Sequence, residues 1–143
     1  MSSPTIHASA VLVGTRAVLI RGPSGSGKSR LALELIAAAR SGALRFARLV
    51  GDDRLHVEAV HGRLVVRPAA ALAGMIEVRG LGILKEPYEP RAVVGWVVDL
   101  AAAAERLPDR AQQRTELEGL ALPRLAVAAG APALPAVLAL LTS

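Results

Sequence analysis

Residues 22–29 read GPSGSGKS. They separate an apolar run, AVLI at 17–20, from a helix-forming run, KSRLALELIAAAR at 28–40. Glycine and serine are poor formers of helix and strand interiors. A flexible stretch between two elements that would each pack well asks for a chemical reason. Gly22, Gly27, Lys28 and Ser29 fit G-x-x-x-x-G-K-[ST], the pattern of a phosphate loop. Glycines let the chain turn so that successive N–H groups converge on phosphate oxygens. The helix that follows adds the positive end of its dipole. Lys28 supplies a point charge for the β- and γ-phosphates, and Ser29 a hydroxyl for Mg²⁺. The nucleotide phosphates are therefore expected on Gly22, Pro23, Ser24, Gly25, Ser26, Gly27, Lys28 and Ser29.

Outward from this loop, the pattern predicts an α/β domain. In the run after the loop, Leu31, Leu35 and Ile36, with Ala32 and Ala39 nearby, mark one face of an amphipathic helix that ends at Ser41-Gly42. Before the loop, AVLV (10–13) and AVLI flank GTR, a hairpin turn. RFARLVGDD (45–53) reads as a strand closing on an acidic pair. RLHVEAV, HG and RLVVRP (54–68) read as a hairpin. MIEVRGLGIL (75–84) begins as a short strand and becomes a glycine-containing loop, and AVVGWVVDL (92–100) is a buried strand. Residues 101–118 suit helix or loop, LPRLAV (122–127) a last strand and 133–141 a C-terminal helix. The expected fold is a phosphate-loop-bearing mixed sheet with few helices, one domain over residues 1–143.

Composition narrows the function classes. Hydrophobic residues make up 52% of the 143, with one Phe, one Tyr and one Trp, so the core must be aliphatic. Lys and Arg number 17 against 12 Asp and Glu, and the net charge of +5 suits an anionic ligand or an acidic partner. The basic residues are scattered, which argues against a nucleic-acid stripe. The absence of cysteine excludes disulfides and thiolate metal sites. The N-terminal MSSPTIHASA lacks the build of a signal peptide, and no apolar run reaches the ~18 residues of a membrane span. A soluble cytoplasmic protein is the expectation.

A phosphate loop does not say what receives the phosphate. Asp52 and Asp53 end a predicted strand, and strand ends beside such a loop are where ligands sit in α/β sheets. A carboxylate there can hold Mg²⁺ or take a proton from an attacking hydroxyl; it can equally be a solvated turn. Glu77 sits at another strand end before Arg79 and two glycines, where a metal ligand and an ordinary exposed turn both fit. His7, near the N-terminus, reads as surface on position alone.

Taken in order, IHASAV (6–11), GPSGSGKS (22–29), LVGDD (49–53) and EVRGLGIL (77–84) resemble the catalytic domain of the HPr kinase/phosphorylase family. The resemblance runs over residues 6 to 100 and is loose beyond them. It implies ATP- and Mg²⁺-dependent phosphorylation of a serine on HPr, a small phosphocarrier protein, with phosphorolytic reversal as a second activity. It also implies the domain alone, without the N-terminal domain of longer members, and a homo-oligomer, since members form hexamers. The family's catalytic histidine falls on His7 and its catalytic lysine on Lys28. Its catalytic aspartate falls in the acidic pair, on Asp52 with Asp53 in support. Ser29 and Glu77 take the place of its Mg²⁺ ligands. The catalytic arginine is matched only by the Arg-Leu of AERLP (104–108), which makes Arg106 a candidate that reads equally as a solvated arginine. The family's C-terminal proline-glycine-arginine stretch has no counterpart in VAAGAPALPAVL (127–138), and Arg30 stands where the family often has an acidic residue. Two other readings of the cradle remain: a small-molecule kinase or nucleotide hydrolase, and a nucleotide sensor without catalysis. No nucleic-acid or membrane partner is expected.

Overall fold

The computed structural model describes residues 4–142. Its frame is set by β1 (Ile6–Val13) and β2 (Arg16–Arg21), an antiparallel hairpin turning at Gly14–Thr15. Val18, Ile20 and Val11 point to one face of this pair, and Ala8, Ala10, Ala17 and Leu19 to the other; all are fully buried. A strand whose alternate residues are apolar on both sides must be covered on both sides.

The first face is covered by α1 (Lys28–Arg40), which buries Leu31, Ala32, Leu35 and Ile36 against it. Ser41 and Gly42 close the helix, their N–H groups donating to Ala37 O and Ala39 O. The second face is covered by the hairpin of β4 (Arg54–Val60) and β5 (Arg63–Pro68), through Leu55, Leu64 and Val66. Its two-residue turn, His61–Gly62, has both φ angles positive (50° and 77°), the twist that suits a tight hairpin.

Two strands divide their partners between these layers. β1 pairs through Ala10–Val13 with β3 (Ala47–Gly51) and through Ile6–His7 with β4. β8 (Ala92–Leu100) pairs antiparallel with β5 at Ala92–Val93, then parallel with β2 and with β10 (Leu120–Val127). The result is a mixed layer β3-β1-β2-β8-β10, extended by β9 (Arg114–Leu117), with the β4–β5 hairpin closing under it. The mixed sheet with two helices agrees with the expected fold class. α2 (Ala133–Thr142) packs beside α1 and buries Val137.

One expectation needs correction, and a second is decided between its alternatives. The stretch after Val78 is no loop: β6 (Met75–Val78) turns and returns as β7 (Gly82–Lys85), a two-stranded sheet of its own. Every residue of β7 is exposed, so the sequence lacks the alternation that marks a half-buried strand. Residues 101–118 contain no helix; 101–113 are irregular and 114–117 are β9. Ala101 leaves β8 at φ 51° and Pro108 interrupts the segment, so its alanines never assemble into a helical turn. Among the described residues no helix is long and apolar enough to cross a membrane.

β3 ends where the layers meet, and this fixes Gly51. A Cβ there would lie 2.5 Å from Leu55 Cδ2 and 3.2 Å from Pro68 Cα. Gly51→Ala is expected to cost about 1–3 kcal/mol, the usual penalty of overpacking. Urea denaturation checks this; an unchanged midpoint would show that the hairpin yields to a methyl group.

Candidate active site

The loop predicted to hold phosphate joins the end of β2 to the start of α1. Gly27 is the helix N-cap at φ 99°, a left-handed conformation that disfavours side chains. No side chain caps α1 and its first turn holds no acidic residue. The N–H groups of that turn are thus left without a protein carboxylate, as an anion site needs. Lys28 Nζ bends back into the loop, donating to Gly22 O at 2.7 Å and Pro23 O at 3.1 Å. The ammonium is held at the mouth of the cradle, where a nucleotide's outer phosphates would meet it.

The acidic pair is brought directly to this loop. Asp52 is 4% exposed and accepts hydrogen bonds from three elements. Ser29 Oγ, in the first turn of α1, lies 2.8 Å from Oδ1 and 2.9 Å from Oδ2. Ser9 Oγ on β1 donates to Oδ1 at 2.5 Å, and the Glu77 N–H on β6 donates to Oδ2 at 3.2 Å. Asp53 takes φ 70°, which an aspartate tolerates better than most residues. The turn directs Asp52 inward and Asp53 outward, to 3.6 Å from His7 Nδ1 with both side chains exposed. β1 thus meets the pair with two residues of one face: Ser9 on Asp52, His7 on Asp53.

Glu77 joins this group through its backbone, with its residue exposed. Ser29 offers a hydroxyl oxygen beside Asp52, and Glu77, whose N–H reaches Asp52, carries an exposed carboxylate from the same corner: oxygen donors of the kind Mg²⁺ takes. Among the described residues no three His, Asp or Glu side chains gather as a complete metal cage. Mg²⁺ takes one or two protein oxygens and completes its shell with water and phosphate. Arg106 lies elsewhere: it lines a cleft of about 820 Å³ together with Arg110, Arg114 and Arg124, and no residue of 22–29 lines that cleft.

Two functional-looking groups were missed in the sequence. Ser9 is one, its only signal a polar residue inside the apolar run ASAVLV. The other is Asp99 near the end of β8, which accepts from Arg21 Nε at 2.7 Å, Arg21 Nη2 at 2.9 Å and Arg124 Nε at 2.5 Å. Burial raises its pKa, but hydrogen bonds from Arg21 and Arg124, with their charges, outweigh burial and hold it below the ordinary 3.8. A depressed folded pKa gives stability that is present above the unfolded pKa and lost as pH falls through the folded one. Asp99→Asn should therefore lower stability at neutral pH and flatten the acid loss as pH falls through and below the ordinary carboxylate range. Denaturation at several pH values tests it; an equally steep acid loss would place the titration on other carboxylates.

The chain has relatives among known proteins. The family model described as the HPr Serine kinase C-terminal domain matches residues 1–88. The HPr kinase/phosphorylase of Clostridium tetani is 44% identical over 70 residues, 49% of this chain and 21% of that protein. That of Streptococcus thermophilus is 33% identical over 135 residues, 86% of this chain and 41% of that protein. The chain thus matches less than half the length of these relatives. Among solved structures, the Hpr(Ser) kinase/phosphatase from Coxiella burnetii superposes with a TM-score of 0.76 at 22% identity, over 98% of this chain and 95% of that one. At that identity the likeness is one of fold.

Proposed function

The chain belongs to the HPr serine kinase C-terminal domain family, and on that premise we propose that it transfers the γ-phosphate of ATP to a serine of an HPr-type phosphocarrier protein. The observation that carries this reading is the contact of Ser29 Oγ with both oxygens of buried Asp52. It joins the phosphate cradle to a carboxylate, the two parts a phosphoryl transfer needs.

In this mechanism the loop N–H groups and Lys28 hold the nucleotide phosphates. Ser29 and Glu77 would hold Mg²⁺, which supplies neutralisation of charge on the phosphate oxygens. The Ser29 hydroxyl turns away from Asp52, and the acceptor serine's hydroxyl takes its place. Asp52 then receives that hydroxyl's proton as the oxygen attacks the γ-phosphorus, the bond from that phosphorus to the β,γ-bridging oxygen breaks, and ADP leaves. Asp53 and His7, at the exposed side of the same turn, flank the acceptor. Arg106 is proposed for the same reaction on the family resemblance alone, since the cleft it lines includes no residue of 22–29. Positioning and electrostatics supply most of the rate. The reading places residues 1–143 in one catalytic domain, acting in the cytoplasm and assembling as a homo-oligomer.

Incubation with γ-labelled ATP, Mg²⁺ and HPr tests it. Label on the protein supports the reading. Release of free phosphate favours a hydrolase, label on a small molecule a metabolite kinase, and binding without turnover a sensor.

The direction of transfer is a further expectation. Phosphorolysis must also bind free phosphate, and an arginine fork meets two of its oxygens at once. VAAGAPALPAVL (127–138) offers no counterpart of the family's proline-glycine-arginine stretch, so kinase activity should clearly exceed phosphorylase activity. Pyrophosphate formation from seryl-phosphorylated HPr and excess phosphate measures the reverse rate; a reverse rate equal to the forward one would overturn this.

A further inference from the structure

The hydroxyl of Ser9, fully buried on β1 and outside the 22–29 loop, donates to Asp52 Oδ1 at 2.5 Å. We propose that Ser9 is a positioning residue, which sets the orientation of the Asp52 carboxylate for phosphoryl transfer. The inference rests on the proposed kinase reading.

Asp52 is held from two sides. Ser9 Oγ donates to Oδ1 from β1, and the Glu77 N–H donates to Oδ2 from β6. Ser29 touches both oxygens but has one proton, so it cannot choose between them. Ser29 must also leave Asp52 during the reaction, whereas Ser9, fully buried on a paired strand, stays. Ser9 and Glu77 together then stop the carboxylate from rotating, and leave its free lone pairs aimed at the space that Ser29 vacates. A carboxylate free to rotate would populate the productive orientation only part of the time, which lowers the rate of transfer and leaves nucleotide binding alone.

The decisive comparison is Ser9→Thr against Ser9→Val, two side chains of the same shape of which only one has a hydroxyl. Ser9→Val should lose about tenfold in kcat with KM for ATP unchanged, and Ser9→Thr should recover most of that loss. A second readout is independent of activity. The Glu77 amide donates to Asp52 Oδ2, so its hydrogen exchange should quicken by about tenfold in the valine variant and stay near wild type in the threonine variant. If the added methyl of both variants prevents folding, Ser9→Ala takes their place, with the same kcat loss, unchanged KM and faster Glu77 exchange expected. Equal behaviour of threonine and valine, or wild-type kcat and Glu77 exchange in alanine, would overturn the inference. If the wild-type protein transfers no phosphate at all, the kinase reading fails, and the Glu77 exchange still decides whether Ser9 orients Asp52.

Discussion

Lys28→Ala is expected to lower phosphotransfer by about 10²–10³-fold, the scale of losing one preorganised donor at a developing charge. The domain should stay folded. Among the described residues Lys28 Nζ bonds only to the carbonyls of Gly22 and Pro23 within its own loop, and neither hydrophobic cluster includes the residue. The N–H groups of the loop and of the α1 first turn remain, so some nucleotide affinity should survive. Initial rates with labelled ATP and HPr, beside a thermal melt, separate the two effects. A folded variant with full transfer would mean that the loop does not carry the reacting phosphate.

Asp52→Asn should cut transfer by ~10²-fold or more, as for a lost acid–base group. Nucleotide binding should stay nearly intact, because Asp52 lies beside the cradle and contributes no donor to it. Some stability should be lost as well. The carboxylate accepts from Ser9, Ser29 and Glu77, whereas an amide offers one acceptor and turns its NH₂ toward a remaining donor. That mismatch costs about 1–3 kcal/mol, so rates must be measured well below the melting temperature. Equal losses in ATP binding and turnover would make Asp52 chiefly a metal-organising residue.

Much of this was legible because local rules and global fold agree. The phosphate loop shows in four fixed positions, and the helix after it in the spacing of Leu31, Leu35 and Ile36. Asp52 and Asp53 could be singled out as strand-end acids, but their opposite directions could not. That division depends on the positive φ of Asp53, which the sequence does not display. Ser9 escaped because one hydroxyl in an apolar strand is a weak signal until its partner, 43 residues away, is known. β7 escaped because all four of its residues are exposed, and a strand exposed throughout carries no alternation. Asp99 escaped for the reason Ser9 did: its arginines come from β2 and β10, distant in sequence and adjacent only in the folded sheet.

The central claim is that the cradle and Asp52 form one site that delivers phosphate to a protein serine. Mass spectrometry of HPr, after incubation with ATP, Mg²⁺ and either the wild-type protein or Lys28→Ala, tests it most directly. The account predicts one phosphoserine on HPr with the wild type and almost none with the variant. HPr left unmodified by the wild type, or phosphorylated equally by both, would contradict it.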